Sequence, residues 1–550
     1  MKKLTLFAAS FVLLCMLASA ATRSKKNEIS RNLDIFNALY KELQTFYVDS
    51  IDAEKSINTA IAAMLDDIDP YTEYFSAKDQ DAFRTMTTGE YGGIGSVIQQ
   101  SEEGVIIAEP YEGSPAQKAG LRPGDLFVTI DGDTVLGWTS DRVSNKLKGQ
   151  SGSTLRLVMK RPWTSDSIKT FEFKRAKIQI PPVPYVGMVR PGIGYIGLNT
   201  FSEKSYPEVR AGVERLIKEG AKGLILDLRG NGGGLVESAV EILGLFLPKG
   251  TAVLTTRGKG VLNEKVYKTS VNPIDTKIPL AVLVDGSSAS ASEIVSGALQ
   301  DLDRAVIIGS RSFGKGLVQS TRELPYDGML KVTVAKYYIP SGRLIQAIDY
   351  SRRNPDGSVA RIPDSLTNVF KTAGGREVRD GGGITPDIKI EYPEVNRMTY
   401  NVVRDNWAFN FANKYAATHD TIAPPETFEV TDEIYGEFKD FIDPAKFNYD
   451  KVCESAVKQL REIATAEGYM NDSTSAQFDI LAGLLRHDLG HDLDINRKNL
   501  TPYLAGELLS RYYFNRGEVI YSLRDDRAVD SAVTVLSTPR FGEILGKKKL

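Results

Sequence analysis

"IPLAVLVDGSSASASEIVSGALQDLDRAVIIGS" (278–310) reads as an apolar strand, a helix and a second apolar strand. Parallel neighbours need a crossover between them, and the crossover helix covers the sheet, so such strands become continuous apolar runs. The same rhythm continues upstream. "GYIGLNTF" (194–201) precedes "YPEVRAGVERLIKEG" (206–220), where Val209, Val213, Leu216 and Ile217 form one stripe, and "GLILDLRG" (223–230) precedes a helix from about Gly234. Strands alternating with helices predict a βα core with a largely parallel sheet over 177–395.

Other parts of the 550-residue chain have other textures, so the fold expected is multidomain, α+β with an α/β core. Residues 1–20, "MKKLTLFAASFVLLCMLASA", have a basic start, an apolar stretch and an A-x-A end, the pattern of a secretory signal peptide. Export, most simply to a periplasm, is expected, with membrane association if the segment is not cleaved. Cleavage removes Cys15 and leaves Cys453 with no partner for an intramolecular disulfide. Residues 28–88 show helical spacing in "LDIFNALYKELQTFYV" (33–48) and "INTAIAAMLDDI" (57–68), ending at Pro70. Residues 89–176 read as short strands and turns with two helices, one capped by Ser114 with Pro115 at its first position. Residues 396–550 are mostly helical, aromatic-rich and of unassigned role. Lys and Arg (68) balance Asp and Glu (70), which gives no reason to expect nucleic acid as a partner.

Parallel sheets present functional groups at the carboxyl ends of their strands. Three segments fall there: "DLRGNGGG" (227–234), "DGSSASASE" (285–293) and "GSRSFGKGLVQ" (309–319). Ser290-x-x-Glu293 is a capping box, the ordinary reason for a serine at that place. A cap explains one serine, whereas the run from Ser287 to Ser292 holds only serine and alanine. A nucleophile at a helix start also gains backbone N–H groups and the positive end of the helix dipole. Only three histidines occur (His419, His487, His491), all beyond the core, and no G-x-S-x-G is present. Lysine is the other known partner of a catalytic serine, and Lys315 lies between glycines in "FGKG". The glycine run 232–234 fits no nucleotide-binding pattern and suits an oxyanion site. His487 and His491, at i and i+4, suggest zinc, but Gly490 and the lack of H-E-x-x-H favour a solvated helix end. No metal and no cofactor are expected.

These segments together resemble the C-terminal processing peptidases, or tail-specific proteases. The resemblance covers roughly 30–392 and includes "YYIPSGRLIQ" (337–346), "GGGITPDI" (381–388), and "EYGGIGSVI" (90–98) through "GSPAQKAGLRPGDLFVTIDG" (113–132), which is similar to that family's inserted PDZ domain. It implies a Ser290–Lys315 dyad with Gln319 orienting the lysine, and an acyl-enzyme route. Ser312 stands where the family often has threonine. Ala291 N–H with that of Gly233 or Gly234 would form the oxyanion hole. Gly92, Gly93, Ile94 and Gly95 would hold a substrate's C-terminal carboxylate. The partners implied are proteins or peptides with free, apolar C-termini; the oligomeric state is left open. The rival reading is a non-catalytic PDZ scaffold on a degenerate peptidase fold, which would not need Ser290, Lys315 and Gln319 together.

Overall fold

The computed structural model describes residues 27–546 apart from 80–84, 86–87, 260–263, 354–358 and 449–450. The expected signal segment therefore lies outside the described residues. The chain divides into two units, one comprising the residues up to Tyr74 with Thr321–Val332, the other Phe75–Ser320 with Thr333–Leu550. The first unit holds helix α1 (27–46) and helix α2 (Ala53–Asp66), the latter capped by Asp52, whose carboxylate accepts from Lys55 N–H. Within it Lys331 pairs with Glu73.

The second unit begins with a small β domain. Strand β1 (Glu90–Gly93) pairs with β7 (Ala176–Gln179), and between them β2 (Ser96–Gln100), β3 (Val105–Pro110), β4 (Leu126–Ile130), β5 (Thr154–Lys160) and β6 (Ile168–Lys174) form an antiparallel sheet. Two helices accompany it, α3 (Pro115–Lys118), capped by Ser114, and α4 (Ser140–Leu147), capped by Thr139. Along β5 the side chains alternate. Leu155, Leu157 and Met159 point into the core while Arg156 and Lys160 face solvent, as expected of a half-buried strand.

The core sheet has the order β8 (Tyr185–Arg190), β9 (Ile193–Gly197), β10 (Gly223–Asp227), β13 (Leu280–Val284), β14 (Val306–Gly309) and β17 (Ile388–Lys389). Only β8–β9 is antiparallel; every other neighbour is parallel. Period-two alternation assigns the two faces. Leu224, Leu226, Val282, Val284 and Ile307 meet helices α5 (Ser205–Lys218), α6 (Val236–Gly244) and α7 (Ala291–Asp301). Ile225, Ala281, Leu283, Val306 and Ile308 face the other way. An antiparallel layer alongside is made by β11 (Ala252–Gly258), β12 (Glu264–Lys268) and β16 (Met329–Tyr338), with β15 (Leu317–Glu323) on β16.

The C-terminal region is helical, as expected, but its helices do not share one core. Helices α8 (Arg397–Arg404), α9 (Trp407–Thr418), α10 (Asp432–Phe441) and most of α13 (Leu489–Ser522) share an aromatic core of Phe411, Tyr415, Tyr435, Phe438 and Phe447. Helices α11 (Val452–Ala466) and α12 (Asp472–Leu484) have no buried residues. The chain then returns: Leu523, α14 (Arg527–Leu536) and α15 (Arg540–Ile544) cover the second face of the core sheet through Ala528, Val529, Ala532 and Val535. Residues from about 523 thus complete the core, beyond the boundary at 395 expected from the sequence.

Candidate active site

The serine run lies where β13 ends. Asp285 turns the chain: its carboxylate accepts from the N–H groups of Ser287 (2.9 Å), Ser288 (3.0 Å) and, from the glycine loop, Gly230 (3.1 Å). Ser288 and Ser292 are fully buried and their hydroxyls donate to the carbonyls of Leu228 and Asn231, each at 2.8 Å. Ser290 is partly exposed and sits at φ 57°, ψ −112° as the first residue before α7. Positive φ in a residue with a Cβ is strained, and such strain concentrates at functional turns.

The glycine loop is fastened beside it. Asn231 donates to Leu198 O (2.7 Å), accepts Gly233 N–H (2.8 Å), and its carbonyl takes Ala289 N–H (3.0 Å). A Cβ on Gly233 would lie 2.8 Å from that of Ser290 and 3.0 Å from Ala291 N, so this glycine lies directly against the serine. Gly234, at φ +143°, has no room either, because a Cβ would fall 2.2 Å from Phe201 O. Gly233 O accepts Phe201 N–H and Leu235 N–H donates to Phe201 O, which leaves the Gly234 N–H on the side away from Phe201.

Glu293 does more than cap. Its side chain is completely buried. One carboxylate oxygen accepts from Ser312 Oγ (2.5 Å) and Gly314 N–H (2.7 Å), the other from Lys315 N–H (2.8 Å) and Ser290 N–H (3.0 Å). One carboxylate thereby joins the serine turn to the lysine turn. Burial pushes its pKa up to about 7, against the lowering effect of these four donors. Tyr337 makes the second tie: its hydroxyl lies 2.6 Å from Lys315 O and 3.1 Å from Ser290 O. Gln346 accepts Gly316 N–H (2.6 Å), and Ile384 N–H donates to Ser312 Oγ (2.6 Å). Both segments quoted from the sequence, 337–346 and 381–388, therefore converge on the turn that carries Lys315. Ser312 serves through its hydroxyl, which threonine would supply equally.

Ser290, Ala291, Gly233, Gly234 and Lys315 are thus brought to one place. Gln319, on β15, donates to Thr333 Oγ1 on β16 (3.1 Å). Sequence reasoning missed Tyr337 and Asn231, and took Glu293 for a cap alone. Two of the three histidines are engaged elsewhere. His419 stacks on Tyr415, with ring centroids 3.8 Å apart, and His487 Nδ1 meets Asp492 (3.1 Å). His487 precedes α13, so it and His491 do not share a helix face; no group of metal-ligating side chains occurs among the described residues.

In the β domain, Gly92 and Gly93 end β1, Ile94 is buried, and Gly95 (φ +74°) turns the chain into β2. Among the described strands β2 pairs only with β3, so its other edge faces α4, and Ser140 N–H donates to Gln100 across that gap (3.0 Å). A cavity of about 410 Å³ lined by Tyr91, Gly92, Lys148 and Gly149 adjoins the loop.

Comparison with known proteins gives matches to three family models. Peptidase family S41 matches residues 192–356, a PDZ domain 106–161, and a domain described as the C-terminal helical domain of a probable PDZ-protease 398–536. The chain is 33% identical over 386 residues to a carboxy-terminal-processing protease of Bartonella bacilliformis, covering 69% of this chain and 87% of that protein. It is 29% identical over 450 residues to a probable CtpA-like serine protease of Staphylococcus haemolyticus, covering 80% and 87%. Among solved structures, the photosystem II D1 C-terminal processing protease is 30% identical, with 66% of this chain and 87% of that one covered and a TM-score of 0.36.

Proposed function

The chain belongs to the carboxy-terminal-processing protease family, as a serine protease of peptidase family S41 with a PDZ domain, and from that premise we propose that it is an exported endopeptidase working through Ser290 and Lys315. The observation that carries this reading is the double tie of Glu293 and Tyr337, which holds the Ser290 and Lys315 backbones together.

In the proposed reaction the neutral Lys315 amine takes the Ser290 proton as Oγ attacks the substrate carbonyl. The resulting oxyanion is received by Ala291 N–H and a glycine N–H. Because Gly233 N–H is committed to Asn231, we assign the second donor to Gly234. The lysine ammonium returns the proton to the leaving amine. Water, deprotonated by the same lysine, then hydrolyses the ester and restores the serine. Gln319 orients the lysine in this scheme, and no metal or cofactor takes part. Substrates are partly unfolded or tailed proteins whose free, apolar C-termini are captured by Gly92–Gly95 and pair with the open edge of β2.

The test is incubation of an unstructured protein with wild type and with Lys315→Ala. Cleavage by the wild type and none by the variant is expected; equal cleavage by both would exclude the dyad.

A further inference from the structure

The PDZ domain rests on the C-terminal helical domain through one compact patch. Ile106 of β3 and Leu126 of β4, on the face turned away from the PDZ core, are buried under Phe409 of α9. The Arg511 guanidinium, only 4% exposed, lies 4.5 Å from the Phe409 ring and donates to Asn413 Oδ1 (2.7 Å) and Phe409 O (3.2 Å). Gly124 lies against Asn413 so closely that a Cβ there would come within 2.5 Å of Nδ2. Trp163 meets Phe441 edge to face at 5.7 Å.

Helix α13 is deformed at this patch. Phe514 leaves helical geometry (φ 56°, ψ −167°) inside an otherwise continuous helix. The break frees the next N–H, that of Asn515, which donates to Glu109 of the PDZ domain at 2.9 Å. Beyond the break the helix runs to Leu523, buried on the core sheet. Asp526 follows as the cap of α14 and pairs with Arg229 (2.7 Å), the residue before the glycine loop, whose guanidinium also grips Asp227. A single stretch of chain, 511–526, therefore reaches from the PDZ patch to the base of the active-site loop. The patch uses β3 and β4 and does not involve the outer edge of β2 or the glycine turn at 92–95.

We propose that the C-terminal helical domain is the dock that fixes the PDZ domain's orientation, with the second half of α13 as a strut to the glycine loop, so that the PDZ domain delivers a substrate tail while docked. The proposal deepens the function proposed above and rests on it for the delivery step. Docking shortens the search of a captured tail for the active site, an effective-concentration effect that is lost when the linkage loosens.

Two arms test it on the full chain. With Cys15 and Cys453 replaced by serine, a Glu109→Cys/Asn515→Cys pair, at the more exposed rim of the patch, is joined by a short bis-maleimide. The joined enzyme is expected to cut a tailed protein and a short end-blocked peptide within about twofold of the unjoined one. A roughly tenfold loss on the tailed protein alone would mean that delivery needs undocking, and would overturn the proposal. In the second arm, Glu109→Ala/Phe409→Ala is expected to raise hydrogen exchange over 105–130. It should also lower kcat/KM on the tailed protein roughly tenfold, leaving the short peptide unaffected. Unchanged exchange, or tailed cleavage equal to or above wild type, would overturn it. Hydrogen exchange reads the dock even where neither substrate is cut, which separates failure of the dock from failure of the chemistry.

Discussion

Ser290 combines two demands that conflict. As a residue with a Cβ it is held at φ 57°, a conformation glycine adopts freely, and in the proposed reaction it must keep that geometry to present Oγ. Ser290→Gly should therefore be more stable than Ser290→Ala by about 1 kcal/mol in thermal or denaturant unfolding, with neither variant active. Equal stabilities would mean that the turn is not strained. Glu293 sets a second conflict, being completely buried yet required as an acceptor of four hydrogen bonds. Its pKa rises from 4.5 to about 7, so the folded state binds the proton more tightly than the unfolded one. Its stabilising contribution is full below about pH 4.5 and is lost as pH rises through about 7. Glu293→Gln should flatten the melting-temperature profile across that window. The same variant should also depress activity at pH 8, where the amide places N–H against N–H at one of the tied backbones, a cost of about 1–3 kcal/mol. An unchanged profile would show that Glu293 does not titrate there.

At the scale of elements, the site is a junction of three strand ends, and the ties between them decide its geometry. Tyr337→Phe removes the hydroxyl between Lys315 O and Ser290 O, a loss of about 1 kcal/mol. It should reduce kcat several-fold with KM unchanged and shift the alkaline limb of the pH–rate profile. A change confined to melting temperature would make Tyr337 structural only. Gly234→Ala should be worse, since its Cβ would press on Phe201 O at a backbone angle that disfavours side chains. The strand–helix–strand rhythm and the cap Ser290-x-x-Glu293 were legible in the sequence because each is a local pattern. Tyr337 and Asn231 were not, because each acts across tens of residues through hydrogen bonds to backbone groups that no spacing rule announces. Glu293 was half legible: its bond to Ser290 N–H is local, whereas those to Ser312, Gly314 and Lys315 come from another strand end.

In the larger unit, the C-terminal region was the least legible part. Its helices were readable, but the return of 523–545 to the core was not. Ala528, Val529, Ala532 and Val535 make the same stripe whether a helix covers a sheet or another helix. The PDZ pattern was readable from its turns, and it carries a prediction of its own. Amidating a substrate's C-terminus removes the charge that Gly92–Gly95 would bind, a loss of about 1.5–3 kcal/mol, so capture should weaken roughly tenfold or more by titration calorimetry. Equal affinity for acid and amide would exclude carboxylate capture. In the proposed reaction this serine protease uses Ser290 as its nucleophile, with Ser288 and Ser292 built into the loop beside it. Mass spectrometry of an unstructured, C-terminally apolar protein incubated with wild type and with Ser290→Ala tests it most directly. Defined fragments are expected from the wild type and intact substrate from the variant. Turnover by a clean Ser290→Ala preparation would contradict it.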